Sequence, residues 1–152
     1  VNLSNDSLLE LAEVPTIVGV KDSSGSVEQS LELLRRKPAD FAVLTGEDAL
    51  FFTMRANGAE GGILAASHLM TEGFVEVERC FRANDLAGAR KAWAPLAGFV
   101  PMLFAEANPM PIKHLLWRQG LIASPECRLP LTRISDGLAK TLDALLVDTG
   151  AT

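Results

Sequence analysis

Three short apolar runs constrain this chain more than any other feature. Ile17–Val20, Phe41–Leu44 and Gly61–Ala66 begin roughly 20–24 residues apart, and each is followed by a stretch of helical periodicity. The connectors are short, so strand and helix alternate three times, the pattern of a parallel sheet with crossover helices. The runs lack the apolar–polar alternation of a half-solvated strand, which predicts that both faces of the sheet are covered. The interval suits a (β/α) barrel and an open doubly wound sheet equally well.

Local signals place the helices. Ser4, Asn5 and Asp6 open one that carries Leu8, Leu11 and Ala12 and is closed by Pro15. Ser26 caps a second with Val27, Leu31 and Leu34 as its apolar stripe, ending at Lys37-Pro38. Ala49–Asn57 reads as a third, with Leu50, Phe51 and Met54 inward and Gly58 as its stop, and Thr71–Ala83 as a fourth, presenting Phe74, Val77 and Phe81. After Asn84-Asp85 only helical periods remain: Leu86–Phe104, interrupted by Pro95 and Pro101, then Met110–Gln119, opened by Pro109 and Pro111. A last helix is capped at Ser135, with Leu138, Leu142 and Leu145 on its face. Cys127–Ile134 reads as an extended connector between Pro125 and Pro130. The change of period predicts an α/β region over 1–83 and a helical region over 84–152.

Composition narrows the partners. A formal net charge of -5 with no basic run argues against a nucleic acid or an anionic membrane surface. No apolar run approaches the ~20 residues of a membrane span. Cys80 and Cys127 lie far apart, without a CxxC or histidines at ligand spacing, so neither a disulfide framework nor a metal site is expected, nor a cofactor, and a reducing cytoplasm fits.

Lys21 ends the first run in IVGVKDSSG. At the C-terminal end of a parallel strand a side chain faces the ligand crevice. An amine partly desolvated by Ile17, Val18 and Val20 has its charged form disfavoured, which makes it a nucleophile able to form a Schiff base with a carbonyl. Salt bridging and phosphate contact are the alternatives for a lysine so placed. Glu47 and Asp48 resemble a carboxylate pair but fit caps of the following helix. His68, just past the third run, reads either as an acid–base group or as a surface or cap residue. Trp93 and Trp117 read as packing residues, and His114 is given no role.

The motifs IVGVKDSSG, VLTGEDAL, NGAEGGILAASH, EANPMPIKHLLWRQGLI and CRLPLTRIS, in that order through most of the chain, together resemble the dihydrodipicolinate synthase / N-acetylneuraminate lyase family of pyruvate-dependent class I aldolases. The resemblance implies the C-terminal portion of a (β/α)8 barrel, about strands six to eight, followed by a helical extension. It implies Lys21 as the Schiff-base lysine, Gly46 as the glycine of the S/T-G-[DE]-D turn beside the substrate, and Ile63 as the strand-eight residue lining the pyruvate pocket. Read without it, Gly46 is a turn glycine and Ile63 a core residue. Pyruvate or another 2-oxo acid is the implied substrate, and a homo-oligomer, dimer or tetramer, the implied assembly. Where many synthases read SVTAN this chain reads LAASH, so Leu64, Ser67 and His68 leave the substrate branch open. The family's relay tyrosine is missing, since the chain holds no tyrosine. With three strands unable to close a barrel, the reading is the C-terminal half of a longer enzyme, partnered by the missing N-terminal half. The alternative is a non-catalytic α/β structural or interaction module.

Overall fold

In the computed structural model, which describes residues 1–148, three parallel strands form one sheet in sequential order. They are β1 (Gly19–Asp22), β2 (Ala42–Thr45) and β3 (Gly61–Gly62). Helices α1 (Asn5–Ala12), α2 (Val27–Arg36), α3 (Phe51–Ala56) and α4 (Thr71–Arg82) alternate with them, and α5 (Leu86–Leu103), α6 (Met110–Arg118) and α7 (Asp136–Asp148) follow. The expected order is therefore present, although the end of the expected 84–152 region lies outside the described residues. No helix among these is long and apolar enough to cross a membrane.

The serine caps act where the sequence puts them. Ser4 and Ser26 accept from the backbone N–H of Ser7 and Gln29, starting α1 and α2. Ser135 Oγ accepts from Leu138 N at the start of α7. Gly58, just past α3, has φ +97°, a conformation a side chain would resist.

Several expected element boundaries and faces need correcting, the second strand among them, which is Ala42–Thr45 rather than Phe41–Leu44. The first strand is Gly19–Asp22 rather than Ile17–Val20, because its backbone pairs with Ala42–Thr45 and pairing, not apolar content, defines the ladder. The third run pairs only over Gly61–Gly62; Ile63 N still donates to Thr45 O at 2.9 Å, after which the chain turns into a 3₁₀ helix over Ala66–His68. On α2 the buried residues are Ser30 and Leu33, while Val27 stays exposed. Pro95 and Pro101 do not interrupt α5, which runs unbroken over Leu86–Leu103. Burial of Ala89, Leu96, Phe99, Val100 and Leu103 offsets the lost donors there.

The two faces of the sheet differ. Val43 and Thr45, beneath the helices, are 0% and 1% exposed. A core of Leu8, Leu33, Phe41, Val43, Met54 and Ala59 fills the space under α1–α3. A larger one joins the end of β3 to α3–α7, centred on Phe51, Phe74, Leu96, Leu115 and Leu142. Trp93 packs there against Phe51, Phe52 and Phe74, the structural part expected of it. The opposite face, carrying Lys21, Leu44 and Ile63, has no layer over it among the described residues, and Ile63 is 52% exposed. Strands apolar on both faces demand cover on both, and three strands without the rest of a barrel leave one face uncovered, as expected of them.

Candidate active site

The C-terminal ends of the strands gather the three residues of interest on that open face. Register pairs Lys21 with Leu44 and Leu44 with Gly61, and side chains of paired residues in a parallel sheet project to the same side. Ile63 shares the parity of Gly61, and Gly46 that of Leu44. Gly46 N donates to Asp22 O at 2.7 Å, which carries the β1–β2 ladder one step beyond the strand.

Gly46 is where the stem of Lys21 runs. A Cβ built on Gly46 would lie 2.5 Å from Lys21 Cε, 3.1 Å from Lys21 Cγ and 2.0 Å from Ser23 Oγ. Only a residue without a side chain leaves Lys21 its path, so this glycine is more than a turn former. Lys21 itself is exposed rather than desolvated, because no layer covers its face; its amine makes no hydrogen bond or ion pair among the described residues. An open cleft of about 430 Å³ beside it is lined by Lys21, Asp22, Ser23 and Ser24 together with Leu3 and Gln29.

Two carboxylates that the sequence reading left out or misassigned hold this rim. Asp22, 9% exposed, faces the helices; its Oδ1 accepts from Ser24 N at 2.9 Å and its Oδ2 from the buried Ser30 hydroxyl of α2. An acidic residue two positions before a serine in a strand-ending turn is a sequence signal for the first bond, but nothing local announces the second. Asp48 does not cap the helix that follows it. Its Oδ1 accepts from Ala66 N at 2.6 Å, tying the loop after β2 to the turn after Ile63.

The opposite rim serves stability. Lys37 Nζ donates to Glu60 Oε1 at 2.8 Å and to Phe41 O, and Val43 N donates to Glu60 Oε2 at 2.7 Å. Burial pushes the Glu60 carboxyl up, but Lys37 and the Val43 N–H more than offset this and hold it below its ordinary value.

The histidines stand apart from this cluster. His68 is exposed, its Nδ1 3.1 Å from Ala65 O, and it lines a different cleft of about 410 Å³ with Gly73, Phe99 and Leu121. Of these two clefts, Lys21 lines the first and His68 the second. His114 is buried where α6 meets α7, its Nε2 2.9 Å from Asp143 Oδ1, to which Arg118 also donates. No group of three or more histidine, cysteine, aspartate or glutamate side chains that could hold a metal occurs among the described residues.

The sequence profile of the dihydrodipicolinate synthetase family matches residues 1–149. The chain is 45% identical over 145 residues to 4-hydroxy-tetrahydrodipicolinate synthase 2 of Clostridium acetobutylicum, covering 95% of this chain and 51% of that protein. It is 36% identical to the 4-hydroxy-tetrahydrodipicolinate synthase of Nitrosomonas europaea, over 100% of this chain and 52% of the relative. It superposes with a TM-score of 0.92 on dihydrodipicolinate synthase from Aquifex aeolicus, at 32% identity, covering 97% of this chain and 50% of that one. The TM-score is also 0.92, at 33% identity, against the Acinetobacter baumannii synthase described as complexed with pyruvate, covering 99% of this chain and 52% of that one. The chain thus spans about half the length of the curated relatives it matches, and its fold corresponds to about half of a TIM-barrel enzyme.

Proposed function

Because this chain belongs to the dihydrodipicolinate synthetase family, we propose that it supplies the nucleophilic lysine of a pyruvate-dependent lyase or synthase, and that Lys21 is that residue. One observation carries the reading: the Lys21 stem crosses Gly46 at the C-terminal ends of parallel strands, where ligands of parallel α/β folds bind. The pyruvate complex of the Acinetobacter baumannii relative supports the choice of substrate.

On this reading the neutral Lys21 amine attacks the keto carbon of pyruvate or a related 2-oxo acid. The carbinolamine loses water to give a protonated imine. That imine is an electron sink, so a methyl proton leaves at lower cost and the resulting enamine adds to an aldehyde, or releases one in reverse. Gly46 keeps the approach clear and Ile63 supplies an apolar wall. The strands correspond to the sixth, seventh and eighth of the barrel, and the remaining strands, with the proton relay, belong to a segment that covers the open face.

Borohydride reduction in the presence of pyruvate tests this on the complete barrel. The expected result is one reduced adduct on Lys21, absent in Lys21→Ala. No adduct on a folded, complete protein supports the non-catalytic module instead.

A further inference from the structure

We propose that Asp22 is a positioning residue for Lys21, one that aims the amine by fastening the end of β1 to α2 and to Gly46. The proposal rests on Lys21 being the imine lysine. Asp22 is bonded in three directions at once. Its Oδ2 takes the hydroxyl of Ser30, a residue 2% exposed in the middle of α2. Its Oδ1 takes Ser24 N, and its backbone carbonyl takes Gly46 N. The order continues beyond it: Ser24 Oγ accepts from Ser26 N at 3.3 Å, and Ser26 caps α2 through Gln29 N.

The geometric consequence falls on the neighbouring residue. Successive side chains of a strand point to opposite faces, so a carboxylate locked against the helices directs Lys21 to the open face. With the Asp22 carbonyl also holding Gly46, the surface over which the lysine stem runs cannot shift independently of the strand that carries it. The β1–β2 ladder ends with this bond, so without the carboxylate the backbone carrying Lys21 is held from one side only. A displacement of about 1 Å in a reacting group costs on the order of 10²-fold in rate.

Trapping kinetics on the complete barrel, with pyruvate and borohydride as the probes, test this. Asp22→Ala should slow adduct formation at saturating pyruvate by about 10–100-fold. Asp22→Asn should recover to within about threefold, since its amide still accepts from Ser24 N and donates to the Ser30 oxygen. Leu96→Ala, a core truncation at the α4–α5 crossing that touches none of the Asp22 bonds, should lower the melting temperature yet trap at the wild-type rate, which separates positioning from general loss of stability. If Asp22→Ala does not fold, Ser30→Ala removes one anchor and should slow trapping several-fold. An Asp22→Ala or Ser30→Ala protein that traps at the wild-type rate overturns the proposal. So does an Asp22→Asn protein as slow as Asp22→Ala, or a Leu96→Ala protein slowed equally. A wild-type protein that forms no adduct removes the assignment of Lys21, and this proposal with it.

Discussion

Lys21 and Gly46 meet at a contact where one methyl group matters. Gly46→Ala places a Cβ 2.5 Å from Lys21 Cε and 2.0 Å from Ser23 Oγ, and both of those atoms belong to side chains that can move aside. Stability should therefore change by no more than about 1 kcal/mol. Adduct formation should fall at least about tenfold, because the amine is redirected. Chemical denaturation and borohydride trapping on the same preparation check both halves. Lys21→Arg should form no adduct despite keeping its charge, since a guanidinium stays protonated and is not a usable nucleophile; mass spectrometry after reduction reads this directly. At this scale the sequence revealed the lysine and the glycine but not the distance between them. The Asp22–Ser30 bond was equally hidden, because it joins a strand end to the second turn of a helix across a loop.

Among elements, α3, α4 and α5 carry the packing that supports β3. Leu96 is fully buried, and a Cβ on Gly73 of α4 would come 3.1 Å from its Cδ2, so the helices are close at this crossing. Leu96→Ala should cost about 2–5 kcal/mol in an equilibrium unfolding experiment. The same elements carry an acid-sensitive tie. Arg55 of α3 donates to both oxygens of Glu78 of α4, at 2.6 and 3.0 Å, and Arg82 adds a third bond at 2.8 Å. Burial pushes the Glu78 carboxyl up, but the bonds from Arg82 and Arg55 outweigh it and set the folded value below the ordinary 4.5. A depressed folded value means that the unfolded state takes up the proton first. The tie is therefore fully present above about 4.5 and is lost as pH falls through the folded value. Glu78→Gln should be less stable by about 1 kcal/mol near neutrality, and urea midpoints measured from pH 6 to pH 3 should converge on the wild type at the acid end. Helix positions and the serine caps of α1, α2 and α7 followed from local signals. The unbroken α5 did not, because tertiary burial outweighs the local cost of Pro95 and Pro101.

For the whole molecule, the uncovered sheet face sets the expectation. Lys21, Leu44 and Ile63 lie on a surface that a closed barrel would fill with side chains, and among the described residues the outer strands β1 and β3 each have one unpaired edge. Residues 1–152 alone should associate, bind a hydrophobic dye and show no aldol turnover. A co-expressed polypeptide carrying the other strands should abolish dye binding and restore the Lys21 adduct. Light scattering, dye fluorescence and trapping report these outcomes, and a stable monomer of the isolated chain with turnover would contradict the reading. The amino-acid sequence by itself determined the order of strands and helices, the serine caps of α1, α2 and α7 and the position of Lys21 at a strand end. Each of these is written in periodicity and turn chemistry within a few residues. The length of β3, the exposed state of the lysine and the clearance over Gly46 were decided only by tertiary structure. They depend on which backbone lies alongside and on whether another layer covers the sheet, relations between residues far apart in the chain.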